Sequence, residues 1–149
     1  MKYSLLFCLI FLVGLSPGVA KEKHSSCWDT AMTQYQLDEC AGSELKVAED
    51  AMDKVYRQIQ KENAADKLFL RRLEEAQQAW MVFRDAEMKA LFPHAVEPGQ
   101  YGSVYPMCYA NWMAELTRER TRQLKKWTIG VEESDVCSGS LPIRQDDEK

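Results

Sequence analysis

Residues 92–104, with the sequence FPHAVEPGQYGSV, hold the side chains that are the most obvious candidates for catalysis or binding. His94 and Ser103 supply a base and a nucleophile, and Asp85 a short distance upstream would complete the residue types of a hydrolase triad. However, Ser103 lacks the Gly-x-Ser-x-Gly surroundings that hold such a serine on a sharp turn. We therefore predict that the protein is not an enzyme, and we treat His94, Tyr101 and Ser103 as candidate binding residues on a loop.

A second set of ionisable side chains follows helical spacing. Glu49 and Asp53 are four residues apart, and two carboxylates on one helix face could perform general acid–base chemistry. The same spacing relates Asp50 to Lys54, which is typical of a solvated helix flank with local ion pairs. We favour the solvated flank.

The cysteines indicate disulfide bonds rather than metal or redox chemistry. The chain has no Cys-x-x-Cys motif and only two histidines, so we predict no metal and no cofactor. Cys8 lies in an apolar leader. The remaining cysteines are even in number, and they allow three pairings that the sequence alone does not separate. They are Cys27, Cys40, Cys108 and Cys137.

The first twenty residues read as a secretory signal. Lys2 precedes an apolar run over residues 5–15, and Gly18 and Ala20 supply the small residues of a cleavage site. The run is shorter than the about 20 residues of a membrane-spanning helix, which disfavours an uncleaved anchor. We expect cleavage after Ala20 and a periplasmic or secreted protein.

The charge of the chain limits its partners. The net charge is −4, and removal of Lys2 with the leader would make it one unit more negative. An acidic surface disfavours nucleic acid and anionic membranes, whereas it suits a cationic partner. Residues 21–149 are enough for one domain with its own core.

Apolar spacing predicts a short first helix between Cys27 and Cys40, followed by a second over residues 41–62. An unbroken helix would hold these two cysteines about 20 Å apart, beyond the about 7 Å that a disulfide permits between Cα atoms. We therefore expect the chain to fold back near residues 36–38, which would let Cys27 pair with Cys40.

The third helix, predicted over residues 65–91, is expected to be the central strut of the bundle. Ala76, Trp80 and Phe83 form its apolar stripe. A fourth helix, capped by Ser103, should run to about residue 127. Together these elements predict an all-α fold: a small antiparallel bundle of three main helices plus a short N-terminal helix, stapled by disulfides.

Polar side chains interrupt or border the apolar stripes of the third and fourth helices. An arginine buried there must be paired, because an isolated buried charge is very costly. We expect partners among Glu49, Asp53, Asp85 and Glu87. The predicted structural network, which would fix helix register, consists of Gln77, Arg84, Asp85, Arg120 and Asp53.

Three segments follow from these patterns. Residues 1–20 are the signal peptide, residues 21–130 the helical domain, and residues 131–149 a polar tail expected to be partly disordered, above all beyond Cys137. A Cys108–Cys137 bridge is sterically possible if the tail runs back along the fourth helix almost fully extended.

Short motifs occur in a fixed order between residues 27 and 124. In chain order they are Cys27, Thr33-Gln34, Glu39-Cys40-Ala41, Met52-Asp53, Tyr56, Ala76-Gln77, Ala79-Trp80, Phe83-Arg84-Asp85, Gly102-Ser103, Leu116-Thr117, Arg120 and Leu124. This ordered set resembles the LprI-type lysozyme-inhibitor family of small exported helical domains. The resemblance implies a non-catalytic binding protein whose partner is a cationic lysozyme; the alternative is an envelope module that binds another protein or a cell-wall fragment.

The chain departs from the family pattern at three positions. Met88 and Trp112 stand where the family usually has a pair of cysteines, and Asp53 stands where it favours asparagine. Because both cysteines of the pair are replaced, this chain is expected to lack that one disulfide bond. The resemblance therefore implies the fold more directly than it implies any inhibitory residue.

Overall fold

The computed structural model describes residues 27–134 and 136–144. In chain order the helices are α1 (Cys27–Thr30), α2 (Gln34–Glu62), α3 (Lys67–Leu91) and α4 (Tyr105–Ile129). The predicted all-α bundle of three main helices and one short N-terminal helix is confirmed. Across the described residues, none of the helices combines the length and the apolar character that crossing a bilayer demands. The predicted signal peptide lies outside the described residues.

The centre of the fold is the contact between α2 and α4, which run parallel. Gln34 approaches Met107 near the start of both helices, and Glu44 binds Arg118 further along. The buried side chains of this contact are mostly small, so the two helices can approach closely. They include Ala41, Ala48, Ala110, Ala114 and Thr117.

Two buried threonines lie in this contact without leaving a polar atom unsatisfied. The Thr117 hydroxyl donates to the Met113 carbonyl at 2.7 Å, and the Thr121 hydroxyl donates to the Thr117 carbonyl at 2.8 Å. Because each hydroxyl bonds within its own helix, α4 can bury a narrow polar residue where a larger one would separate the helices.

Larger side chains close the far end of the bundle. Val55, Ile59, Leu73 and Leu124 form the apolar cluster there, with Phe69 and Trp127 among the rings that pack on it. Leu73 and Phe69 are the contribution of α3, which runs antiparallel to its neighbours and packs on them less extensively than they pack on each other.

The prediction of α3 as the central strut is wrong. Its only buried side chains are Leu73, Gln77 and Met88. Phe83, which the sequence placed in the core, is 51% exposed. The core contact forms between α2 and α4 instead, because their small residues permit it.

The N-terminal staple forms as expected. Cys27 and Cys40 are disulfide-bonded with Cα atoms 5.6 Å apart, so this predicted bridge is confirmed. The fold-back lies at residues 31–33, earlier than the predicted 36–38. The reason is a capping box: Thr33 accepts from the Gln36 backbone while the Gln36 side chain accepts from the Thr33 backbone, and this starts α2.

Side chains cap the end of α2 and the start of α3, but the predicted cap of α4 does not form. Asn63 ends α2, its side chain donating to the Ile59 carbonyl, and Asp66 caps α3 by accepting from the Phe69 amide. Ser103 does not cap α4. The cap position is Val104, which makes no side-chain hydrogen bond.

A Cys108–Cys137 bridge is not formed, since Cys108 keeps a free thiol. Cys108 lies in the first turn of α4, about 30 Å of helix away from its end. The tail folds against that far end, where Trp127 donates to the Ser140 hydroxyl at 3.1 Å. Cys137 is therefore held away from Cys108.

The fold-back of the tail requires Gly130. The amide of Val131 donates to Pro142, and the amide of Arg144 donates to Val131. Gly130 has φ of 80°, and a Cβ there would lie 2.7 Å from the Pro142 carbonyl oxygen. Residues 138–144 are thus packed on the end of α4, where the sequence had suggested disorder.

Glu44 joins three helices. Its carboxylate accepts from the Trp28 indole at 2.6 Å and from Arg118 at 2.7 Å. These hydrogen bonds, first from Trp28 and then from Arg118, lower the pKa of Glu44. The carboxylate therefore ties α1 and α4 to α2.

The disulfide should contribute measurably to stability. Replacing both Cys27 and Cys40 by serine should lower the free energy of unfolding by about 2–4 kcal/mol, because the closed loop restricts the unfolded chain. Guanidinium denaturation measures this difference. Cys108→Ser is the matched control, and an equal loss in that variant would contradict the assignment.

Glu44 should make the stability of the fold decrease in acid. Its folded pKa is depressed, so its contribution is complete above its unfolded pKa and is lost as pH falls through the folded value. Glu44→Gln should therefore flatten the fall in melting temperature below about pH 4.5. Thermal unfolding from neutral to acid pH tests this, with Glu49→Gln as the control that should keep the wild-type slope.

Candidate binding surface

Residues 92–104 form a chain of successive turns rather than an open strand. Backbone bonds run from Ala95 to Phe92, from Glu97 to His94 and from Gly102 to Gly99. Residues 93–100 are all exposed. The segment is therefore an ordered surface loop that joins α3 to α4.

Four aromatic rings anchor this loop to the start of α4. Phe92 contacts Tyr101, Tyr105 and Tyr109 with ring centroids 5.3, 5.2 and 6.2 Å away. Tyr101 also stacks on Tyr105 at 5.6 Å. Edge and offset contacts of this kind add to the apolar burial of each ring, so both ends of the loop are held by one cluster.

The predicted binding residues occupy different settings on the loop. His94 is exposed, and its Nδ1 lies 2.7 Å from the Glu97 carboxylate. Its amide donates to the Tyr101 hydroxyl at 3.2 Å, and the Tyr101 ring is half-buried in the aromatic cluster. Ser103 is exposed at the end of the loop. His94 and Tyr101 are therefore in contact, whereas Ser103 lies two residues before α4.

The hydrolase interpretation finds no support in this geometry. The ring of His94 pairs with Glu97 and not with Ser103. Asp85 pairs with Arg84 on α3 at 3.3 Å. Among the described residues, no hydrogen bond links His94, Ser103 and Asp85 into a relay.

The loop encloses only a shallow hollow. Its volume is about 150 Å³, and residues 95–102 with Tyr105 line it. Ligand pockets for small molecules usually measure about 300–1,000 Å³. This hollow is therefore smaller than a usual small-molecule pocket. A second, open hollow of about 400 Å³ lies beside the loop, with Phe92, Ala95, Tyr105 and Tyr109 among its lining residues.

The structure divides the predicted polar network into three separate contacts. Arg120 donates to the Gln77 amide oxygen at 3.0 Å, which links α4 to α3. Arg84 pairs with the neighbouring Asp85, and Asp53 pairs with Arg57 one turn along α2 at 2.6 Å. Only Gln77 and Arg120 connect two helices.

Arg120 is half-buried and lacks the carboxylate partner that we expected. Within the described part of the chain its guanidinium bonds to two amides, those of Gln77 and Gln123. Burial lowers its pKa, and the nearby Tyr56 opposes that shift. Burial also raises the pKa of Tyr56, as does the negative charge of Glu74. A neutral amide thus satisfies this arginine at the junction of the main helices.

A cleft of about 300 Å³ lies between α2 and α3 beside this junction. Its apolar walls are Met52 and Met81, and Asp53 and Glu74 lie at its rim. Asp53 already pairs with Arg57. The cleft is a surface groove of the bundle, with no cluster of metal-ligating side chains among the described residues.

The sequence held signals for features that we did not predict. Tyr101, Tyr105 and Tyr109 are spaced by four, which places three rings on one side of the start of α4. His94 and Glu97 have the spacing of a local pair. Glu44 gave no such signal, because its partners Trp28 and Arg118 are distant in sequence.

These features define a small helical domain with one N-terminal disulfide, an anchored surface loop and no enclosed ligand pocket in the part that the structure describes. The family model for the lysozyme inhibitor LprI matches residues 27–124. The chain belongs to this family. An uncharacterized protein of Rhizobium meliloti (strain 1021) is 31% identical over an alignment of 134 positions that covers 83% of this chain and 89% of that protein. No solved structure matches the chain.

The aromatic anchor predicts a specific variant effect. Phe92→Ala should lower the free energy of unfolding by about 2–4 kcal/mol, because it leaves a cavity between the three tyrosine rings. It should also speed amide exchange over residues 92–104. Hydrogen-exchange mass spectrometry and chemical denaturation measure both effects. Val96→Ala is the control, since Val96 is 92% exposed on the same loop; equal behaviour of the two variants would contradict the anchor.

Proposed function

We propose that this protein is an exported, non-catalytic inhibitor of lysozyme that acts through the loop at residues 92–104. Membership of the LprI family supports the activity. The leader-like sequence of residues 1–20 and the Cys27–Cys40 disulfide support export, because disulfides persist in oxidising compartments.

The observation that carries the proposal is the anchoring of an exposed loop. An ordered loop loses little conformational entropy on binding, so more of its contact energy appears as affinity. The aromatic cluster of Phe92 and the three tyrosines supplies this order. The loop can therefore enter a cleft as a preformed element.

The chemistry of the loop suits a lysozyme cleft. Glycoside hydrolases of this kind work with a pair of carboxyl groups in an open cleft. His94 and Ser103 are exposed and provide donors, and the Tyr101 hydroxyl accepts from the His94 amide. These groups could bind the carboxyl groups and block the approach of substrate.

The net charge favours encounter with such an enzyme. The chain carries −4, whereas lysozymes are typically cationic. Opposite charges raise the association rate, and salt screens this attraction over about 10 Å at 0.1 M ionic strength. Inhibition should therefore weaken as salt rises.

The proposal predicts that the protein slows lysis. Purified protein with its disulfide intact should retard turbidity clearing of a cell-wall suspension by at least one of the c-type, g-type and i-type lysozymes at micromolar concentration. The double variant His94→Ala, Ser103→Ala should raise the half-inhibitory concentration by about 10-fold or more, because it removes two donors.

A matched serine provides the control. Ser43 is exposed on α2, away from the loop, and Ser43→Ala should inhibit as the wild type does. If none of the three enzyme types is slowed, the inhibitor function is wrong, and the alternative of an envelope module that binds another protein or a wall fragment gains support. If the double variant inhibits normally, another surface makes the contact.

A further inference from the structure

The outer side of α3 carries an apolar surface that the other helices of the described chain leave exposed, although Arg84 of the same helix lies over the Trp80 ring, 5.3 Å from its centroid. Its centre consists of Ala76, Ala79 and Phe83, which are exposed, and Trp80, which is half-buried. The buried side of α3 lies about a quarter turn away around the helix. This outer side, which we call the α3 outer face, is therefore distinct from the core face.

Opposite charges lie at the two ends of the α3 outer face. Arg72 lies one turn before Ala76, and Glu87 lies one turn after Phe83. Arg72 pairs only with Glu75 of its own helix, at 2.7 Å in an exposed setting. Among the described residues Glu87 has no ion-pair partner. The face thus has an apolar centre, a positive end and a negative end.

We propose that the α3 outer face binds the same face of a second copy of this chain. The two α3 helices would run antiparallel, with a twofold axis between Ala79 and Trp80. In such an isologous contact both copies use the same patch, so the patch must be complementary to itself about the twofold axis.

This register makes the face complement itself in shape and in charge. Phe83 of each copy lies opposite Ala76 of the other, so a large side chain meets a small one. Arg72 of each copy lies opposite Glu87 of the other, which forms two equivalent ion pairs at the rim of the apolar centre.

The exposed leucines of the helix lie at the edges of the face. Leu68 is 57% exposed and Leu91 is 39% exposed, and each lies about 70° around the helix from the centre of the face, on opposite sides, so they border the contact without pairing. Sliding one copy by four residues also keeps the same faces together, but it places Glu87 opposite Ala76 and Arg72 opposite Leu91. Sliding it by seven places Glu87 opposite Ala79. Of these registers, only the one with the twofold between Ala79 and Trp80 pairs the opposite charges.

The dimer should be weak and reversible. One helix pair forms an interface at the small end of specific protein contacts. Sedimentation equilibrium on the purified protein with its disulfide intact should therefore give a monomer–dimer equilibrium with a Kd of about 1–100 µM. A concentration of roughly 500 µM lies above this whole range of Kd values, so a protein that is still monomeric there overturns the proposal.

Neighbouring apolar residues supply the first pair of variants. Phe83→Glu should raise the Kd by about 100-fold or more, because it places a charge at the apolar centre. Val82→Glu is the control, since Val82 is 71% exposed and points about 100° away from Phe83. It should leave the Kd within about 3-fold of wild type. Equal effects of the two variants overturn the proposal.

A charge swap tests the register, and the recovery expected of the double variant shows that a weak single variant is not simply misfolded. Arg72→Glu and Glu87→Arg should each raise the Kd by about 10-fold, because each puts like charges opposite one another. The double variant restores opposite charges and should return to within about 3-fold of wild type. A double variant as weak as the singles overturns the register.

A lysozyme bound to this face is the competing occupant, and the experiment separates it. If the protein is monomeric alone and Phe83→Glu weakens inhibition while Val82→Glu does not, the face belongs to the enzyme contact and the dimer is wrong. If the protein dimerises and both variants inhibit normally, the dimer and the inhibitory loop are separate surfaces, as proposed.

Discussion

The packing of α2 against α4 through small side chains determines the rest of this fold. Ala41 and Ala48 on α2 meet Ala110, Ala114 and Thr117 on α4, all of them buried. Small residues let two helices approach along much of their length, which increases dispersion contact and excludes water without large side chains. Their threonine hydroxyls bond within α4, so close approach carries no unsatisfied polar group. The pair therefore forms the scaffold on which the other elements are placed.

The position of α3 follows from that contact. Since α2 and α4 bury each other's small side chains, α3 contributes few residues to the core: Leu73 joins the apolar cluster at one end, and Met88 is buried near the other. Its connection to α4 along the middle is polar, through Gln77 and Arg120. The remaining apolar surface of α3, with Phe83 at its centre, stays outside. A helix that the sequence marks as amphipathic thus has one face for its own bundle and a second face available for another molecule.

Two surfaces result, and they are built differently. The loop at residues 92–104 gains its order from tertiary contacts, since Phe92, directly after α3, and Tyr109 of α4 meet only when α4 returns along α3. The α3 outer face needs no such assembly, because Arg72, Phe83 and Glu87 are fixed by one helix. The first surface presents hydrogen-bonding groups on an acidic domain, and the second presents apolar area between opposite charges. We propose the first for contact with a cationic enzyme and the second for contact with a second copy of the chain.

The sequence by itself determined the number and order of the helices, and it indicated the family and the Cys27–Cys40 pairing, because apolar periodicity, prolines and cysteine spacing are local properties. The capping box of Thr33 and Gln36 also encodes the start of α2, although apolar periodicity had placed that start at residue 41. Only the tertiary structure decided which helices form the core. Periodicity favours large residues such as Phe83, whereas the closest contact selects small ones such as Ala114, whose burial depends on the partner helix. The tertiary structure also decided the partners of Glu44 and Arg120, because hydrogen bonds between segments distant in the chain have no characteristic spacing in the sequence.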